Sequence, residues 1–338
     1  SRLRLLLLIT AGYYFINLVV FFINGTNFDK YIQTDLYFLL AVFVAAALLH
    51  AKVNTNLFFT GIRFALLFLG VCHFLSIDCS NIYISIFAPI TVLMMFLSIV
   101  SYDNDNLTNK ILGLTAFICG MILIVDSGIR LSWLVFIILT IVVSFVMFKK
   151  TAVNKFSLIA SLLLLGVFIS FISTNNTINN RITQVYNEIS NWNSGKNVGS
   201  SVGIRLEMYT SGLEAFKEKP LFGHGYLNGT KEASKYVDPR VRNKVYNFVQ
   251  THSEYTTTMV EKGFFGLLSL GILLFSPCLI IVRNYYKDDI FIRIGIVTSV
   301  SFILFGLFNV SFGDTTFKAF YVLLLCIFLP NIYKERLS

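Results

Sequence analysis

The chain has 338 residues, of which 56% are hydrophobic and 15% aromatic against only 13% charged, with a mean hydropathy of +0.73. A soluble core of ordinary size cannot hide that much apolar surface, so a soluble globular fold is excluded and a polytopic membrane protein is predicted. The net charge is +9, but no basic patch with interleaved aromatics accompanies it, so nucleic acid is not expected as a partner and the charge is read as membrane orientation plus a site for anions. Phe contributes 34 residues and Pro only 5, which favours long unbroken helices over the alternating strands of a barrel.

Apolar runs that approach the roughly 30 Å hydrocarbon layer predict ten helices. Seven fall at about 5–23, 36–50, 57–75, 82–100, 111–126, 131–148 and 156–172, and three at about 258–282, 292–310 and 316–331. Twelve Lys and Arg lie in the connections on one side, among them Arg4, Lys52, Lys110 and Arg283, whereas the other side has only Lys30, Arg130 and Lys318. The basic side is cytoplasmic by the positive-inside rule. Both ends of the chain are then inside, and the long interruption at 174–257 lies outside the cytoplasm. The expected organisation is therefore 1–173 as helices one to seven, 174–257 as a long loop outside the cytoplasm carrying the chemistry, and 258–338 as helices eight to ten. The chain opens Ser1-Arg-Leu-Arg4 without a methionine, consistent with sequence preceding it, and its first apolar run has no cleavable signal pattern. The five cysteines show no metal or redox spacing and read as packing residues, with a bridge between Cys72 and Cys79 left open.

Within the loop a short helix fits 182–192. A second fits 203–217, where Leu206, Tyr209, Leu213 and Phe216 recur at three to four residues and make an apolar stripe suited to the membrane surface. It ends at Pro220 and the turn Gly223-His-Gly225, after which Val237-Asp-Pro-Arg-Val-Arg-Asn-Lys244 is basic and turn-prone.

Arg205 sits one turn into that second helix. Its planar fork of donors suits a pair of phosphate oxygens, although an arginine snorkelling to lipid headgroups fits the same spacing. Arg130 stands in the outer turn Asp126-Ser-Gly-Ile-Arg130 against the charge bias. A cation there needs an anionic ligand or a carboxylate, and Asp126 is one available partner. Thr251-His-Ser-Glu254 has capping-box form, with Thr251 as N-cap and Glu254 reaching back. His252 is then expected in the first turn of the eighth helix, where the dipole keeps its imidazole neutral and able to accept a proton. A solvated interfacial histidine is the plainer alternative. Asp314 is the carboxylate of the last outer hairpin, either orienting His252 or simply solvated. Asp103-Asn-Asp105 has a metal-binding form but falls on the cytoplasmic side, and Gly223-His-Gly225 is too short for a nucleotide-binding turn.

Arg130, Gly203-Ile-Arg205, Pro220-Leu-Phe-Gly-His-Gly225, His252-Ser-Glu-Tyr255 and Glu261-Lys-Gly-Phe-Phe-Gly266, taken in this order, resemble the O-antigen ligase family over about 115–331. That family shares a superfamily with O-antigen polymerases and protein O-oligosaccharyltransferases. The resemblance implies an all-α, GT-C-like bundle in the bacterial inner membrane. The implied reaction is polysaccharide transfer from undecaprenyl diphosphate to lipid A-core on the periplasmic face, with inversion and with neither metal nor other cofactor. In that chemistry His252 takes the acceptor proton, and Arg205 and Arg130 stabilise the diphosphate leaving group. Arg240, Arg242 and Lys244 are auxiliary cations, and Tyr209 and Asp314 complete the expected substrate contacts. An O-antigen polymerase is the nearest alternative. A secondary transporter is a more distant one, for which inverted repeats, broken helices and charges near mid-membrane are expected.

Overall fold

The computed structural model describes residues 2–25, 30–52, 54–75, 84–101, 107–150, 166, 176–283 and 290–332. The described residues are mostly helical and contain no strand. The first six helices are α1 (Arg2–Asn24), α2 (Lys30–His50), α3 (Thr55–Phe74), α4 (Ile84–Val100), α5 (Leu107–Asp126) and α6 (Arg130–Lys150). The predicted seventh span at 156–172 lies outside the described residues, as do Cys79 and the Asp103-Asn-Asp105 stretch. The loop is itself helical, with α7 (Asn176–Asn193), α8 (Ser201–Glu218) and the short α9 (Gly229–Ala233) and α10 (Arg242–Tyr246). The chain then re-enters the bundle through α11 (Glu254–Arg283) and α12 (Ile290–Phe308), passes a 3-10 turn at Ser311–Gly313 and ends in α13 (Thr315–Ile332).

Among the described residues six helices are long and apolar enough to cross a membrane, namely Leu3–Asn24, Thr55–Phe74, Thr108–Asp126, Glu254–Arg283, Ile290–Phe308 and Thr315–Ile332. Three shorter apolar helices accompany them. The protein is a polytopic helical membrane protein. Helix α12 sits between two groups, packing on α11 and α13 on one side and on α4 and α6 on the other, while α1 and α2 close against α11 and α13. An aromatic cluster of Tyr13, Phe38, Phe302, Phe312, Phe317 and Tyr321 fills the contact among these helices, with Phe302 stacked on Phe312 at 5.9 Å.

Helix α11 departs from the expectation of an unbroken span. Gly263 has φ 67° and ψ −158°, a backbone region open only to glycine, so the helical ladder stops there. Freed backbone groups inside a membrane bundle must find partners, and residues 219–225 supply them. His224 N donates to Val260 O at 2.9 Å and Gly225 N to Glu261 O at 2.9 Å, while Pro220 O accepts from Phe264 N at 2.7 Å and Leu221 O from Phe265 N at 3.2 Å. The approach is so close that a Cβ on Gly223 or Gly263 stands 2.5 Å from opposing backbone carbon. Glycine is therefore required on both sides of the joint.

Helix α8 lies on α11 through small residues rather than through the predicted apolar stripe. Its buried face is Gly203, Ile204, Met208, Ser211, Gly212 and Ala215, and Gly212 faces Thr256 and Val260 of α11. Leu213 of the predicted stripe is exposed. Close backbone approach selects glycine and alanine for the contact, which leaves the larger apolar side chains outside.

Gly223→Ala and Gly263→Ala are each expected to destabilise the protein by more than the ~1–2 kcal/mol that a left-handed residue costs without any clash. Thermal unfolding of the detergent-solubilised protein tests this. A wild-type midpoint for both variants is incompatible with the joint as described.

Candidate active site

The site begins where residues 249–254 enter α11. Ser253, not Thr251, caps the helix, its Oγ accepting from Thr256 N at 3.4 Å. Thr251 instead pairs with Thr257 through their hydroxyls at 2.8 Å, and Glu254 turns its carboxylate to Phe312 N at 2.8 Å. The predicted capping box is therefore replaced by a different cap, because α12 and the turn after it offer Glu254 a backbone donor. His252 is left outside the helix, in the left-handed region at φ 59°. A non-glycine residue held there marks a position over-determined by its surroundings.

Those surroundings are specific. Tyr209 Oη donates to His252 O at 3.3 Å and reaches Leu307 O at 3.5 Å, and the His252 ring meets Phe248 edge-on at 5.3 Å. Burial holds the His252 pKa below the ordinary 6.5, and the charge of Arg205 lowers it further. The imidazole is neutral as expected, but its cause is desolvation and Arg205 rather than a helix dipole. Arg205 is half-buried and precedes Tyr209 by one turn, so both present the same side of α8 to His252. The nearby carboxylate of Glu207 is occupied by Trp192 Nε1 at 2.7 Å and by Asp238 N at 2.9 Å. Among the described residues no ion pair engages Arg205, which leaves its fork available to an anion.

The remaining predicted residues are placed differently. Arg130 opens α6 and touches Gln184 of α7, Nη2 to Oε1 at 3.5 Å. Gln184 donates to Glu188 at 2.7 Å, and Glu188 accepts from Val202 N at 2.9 Å at the start of α8. Arg130 thus joins the Arg205 helix through α7. Asp126 is not its partner, for Asp126 pairs with His73 at 2.9 Å. Arg240 commits its fork to Asp238, at 2.9 and 2.7 Å, and to Gly195 O at 3.0 Å, and holds the Asp238 pKa down at about 2. Its geometry is that of a loop clamp rather than an auxiliary cation. Arg242 and Lys244 are exposed on α10. Asp314 caps α13, accepting from Thr316 N at 2.8 Å and Phe317 N at 3.2 Å, and makes no hydrogen bond to His252.

Sequence reasoning missed a second group beside these residues. Asp35 and Lys318, 2% and 1% exposed, form an ion pair at 2.6 Å. Asp35 also accepts from Tyr226 Oη at 3.1 Å and Asn17 Nδ2 at 3.2 Å, so it ties α1, α2, α13 and the loop together. Burial raises the Tyr226 pKa well above its ordinary value, which keeps its hydroxyl a donor. Asp35, Tyr226 and Lys318 line a cleft with Glu254, Thr257, Thr258, Glu261 and Lys262 on one wall. That wall is legible in the sequence as positions i, i+3, i+4, i+7 and i+8 of one helix face, polar where a membrane helix is normally apolar.

Among the described residues, one grouping has metal-ligand residue types, Glu218, His224 and Glu232. Its His224 ring donates through Nε2 to Ala215 O at 2.8 Å and turns Nδ1 to Glu232 at 3.4 Å, while Glu218 stands on the Nε2 side at 3.8 Å. The two carboxylates address opposite ring nitrogens, and the Nε2 hydrogen bond to Ala215 O occupies the nitrogen that faces Glu218.

Fold and site together define a polytopic helical membrane protein whose loop helices dock on a broken span and bring an arginine, without an ion pair among the described residues, to a neutral histidine. Residues 114–271, from α5 to beyond the break in α11, match the family model described as O-antigen ligase. The match spans a little under half of the chain and supports assignment to the O-antigen ligase family. The chain is similar to an uncharacterized protein of Haemophilus influenzae, 25% identical over 239 residues, which cover 68% of this chain and 58% of that protein. The matched region includes Arg130, Arg205 and His252 but neither Asp35 nor Lys318.

A half-buried histidine with a lowered pKa gives a defined pH profile. Labelling of His252 by diethyl pyrocarbonate is expected to be flat through neutral pH and to fall only below the ordinary histidine value of 6.5, as the imidazole takes up its proton. Arg205→Gln removes a positive neighbour and moves that fall upward in pH. A wild-type midpoint above 6.5 contradicts the electrostatics described.

Proposed function

We propose that the protein is an O-antigen ligase that transfers polysaccharide from undecaprenyl diphosphate to lipid A-core at the periplasmic face of the bacterial inner membrane. The observation that carries this reading is Arg205, without an ion-pair partner among the described residues, set beside a half-buried histidine that is neutral at physiological pH. The basic residues on the opposite side of the ten predicted spans support the orientation. In this reading residues 1–173 and 258–338 form the membrane frame, and 174–257 form the periplasmic catalytic loop.

The chemistry is a single displacement. An acceptor hydroxyl loses its proton to His252 as its oxygen attacks the anomeric carbon, and the bond from that carbon to the diphosphate oxygen breaks. Attack opposite the leaving group inverts the configuration. Charge that grows on the departing lipid diphosphate is met by Arg205, with Arg130 completing the cradle. These residues supply both proton transfer and charge stabilisation in a metal-independent route. A general base typically contributes about 10²–10⁴ in rate, and each charge-assisted contact about 1.5–3 kcal/mol.

Arg205→Ala and His252→Ala are expected to abolish transfer while leaving membrane insertion intact. Near-normal transfer by a well-expressed His252→Ala protein removes the base assignment. Arg130→Lys is expected to recover less than half of the activity, because a point charge replaces the guanidinium fork poorly. Gel analysis of lipopolysaccharide from a deletion strain separates ligase from polymerase. Bare core with accumulated lipid-linked polymer is the ligase outcome, whereas core bearing a single repeat makes the protein a polymerase.

A further inference from the structure

The loop meets the bundle at a depth that two helices define independently. Asn24 ends the apolar span Leu3–Asn24 of α1 and donates through Nδ2 to Phe222 O at 3.1 Å, so residues 219–222 lie level with the end of that span. Helix α11 marks the same depth from its own side. Its outward face is Phe264, Leu268, Ile272, Phe275, Leu279 and Val282, all exposed at a spacing of three to four residues, and no charged residue stands between Phe264 and Val282. Residues 264–283 are about 30 Å long as a helix, the thickness of the hydrocarbon layer. The part of α11 before Gly263 does not extend this span. A Cβ on Gly266 stands 2.1 Å from Lys262 Cβ and 3.3 Å from Thr258 Cγ2, whereas residues four apart on a straight helix keep their Cβ atoms about 5–6 Å apart. The chain therefore folds back at Gly263, and Glu254 N returns to the end of α12, donating to Asn309 O at 3.0 Å.

Both helices thus set the edge of the hydrocarbon at Gly263, and the protein surface there is open. Leu221, whose O accepts from Phe265 N, is 56% exposed and Phe264 is 51% exposed, while Phe22 and Ile23 at the end of α1 are exposed as well. The apolar surface of two spans therefore continues onto the loop. Just before it, α8 ends in exposed cations. Lys217 pairs with Glu214 at 2.7 Å, but no ion pair engages Lys219 among the described residues. Apolar side chains at the hydrocarbon edge with a free lysine beside them form the pattern of an interfacial anchor, in which the long cationic side chain reaches headgroup phosphates.

We propose that residues 219–222 are a docking surface for bilayer phospholipid, whose acyl chains cover Leu221 and Phe264 and whose headgroup phosphate is held by Lys219. Lipid then supports the Gly263 joint from outside, as the four backbone hydrogen bonds support it from within. The proposal does not depend on the transfer chemistry. The test uses the full chain in nanodiscs of phosphatidylcholine brominated either near the carbonyl end or near the methyl end of its acyl chains. Leu221→Trp and Ile272→Trp are the reporters, each read as the fluorescence change over the wild type, which has Trp133 and Trp192 of its own. Ile272 lies about 14 Å beyond Gly263 along the helix, close to the bilayer centre. The reporter at 221 is expected to be quenched more by the shallow bromine, and the reporter at 272 more by the deep one.

If α11 crosses the membrane as one unit from Glu254, position 221 lies near the bilayer centre and stronger quenching there by the deep bromine overturns the proposal. A reporter at 221 that neither lipid quenches overturns it too, as the outcome for a face covered by a second copy of the chain or by water. Should Leu221→Trp lower the midpoint of thermal unfolding, Phe264→Trp at the same depth is scored in its place. The headgroup contact has its own readout. The wild-type midpoint is expected to be higher in phosphatidylglycerol than in phosphatidylcholine nanodiscs. Lys219→Gln narrows this gap more than Arg242→Gln, which removes an exposed cation of α10. No gap in the wild type, or equal effects of the two substitutions, overturns the contact between Lys219 and phosphate.

Discussion

The interruption of α11 at Gly263 is the constraint from which the site follows. A membrane bundle offers no water to stray backbone groups, so a broken helix requires a partner of complementary spacing. Residues 219–225 are that partner, contributing two N–H donors and two carbonyl acceptors across the gap. The same four hydrogen bonds hold the end of α8 against the bundle. Docked in this way, α8 places Arg205 and Tyr209 beside His252, and the first part of α11 is fixed with its polar face toward α2 and α13. Glycine at 223 and 263 is thus a requirement of the site's geometry.

Two kinds of charge arrangement coexist within this frame. The Asp35–Lys318 pair is fully buried and surrounded by further donors, the condition under which a buried ion pair recovers its desolvation cost. It joins the first helices to the last and, through Tyr226, to the loop. Arg205 belongs to the other kind, partly exposed and left without an ion pair while Glu207 beside it is drawn to Trp192 and Asp238. The first arrangement builds the frame, and the second remains open for an anion. Arg240 shows how little the residue type alone decides, since the same guanidinium fork is there closed on Asp238 and a carbonyl.

The sequence is a good guide where one physical signal dominates. Apolar runs locate the described spans to within a few residues, because nothing competes with the hydrocarbon layer for such segments. Arg205 and His252 are legible as a permanent cation and a titratable base in the only long polar stretch. The orientation of α8 is not, since nothing in the pattern marks Gly212 as the position where close approach to Thr256 and Val260 of α11 occurs. The cap of α11 is hidden for a similar reason, because a backbone donor at Phe312, 58 residues later, claims Glu254. Asp35 stands at the start of an apolar run without local pattern, and its partners lie as far as 283 residues away.

The displaced cap has a further effect on the base. A histidine in the first turn of α11 is oriented by that helix alone and made less basic by its dipole. With Ser253 as the cap, His252 is released into a left-handed conformation whose carbonyl is held by Tyr209 of α8. Both the position and the proton affinity of the imidazole then depend on α8, through Tyr209 and Arg205 respectively. In the proposed reaction, the cation for the leaving group and the control of the base are on one rigid element, one turn apart. Any displacement of α8 relative to α11 changes both together, so the proposed reaction is tied to the docking of a single helix, which the Gly263 joint secures.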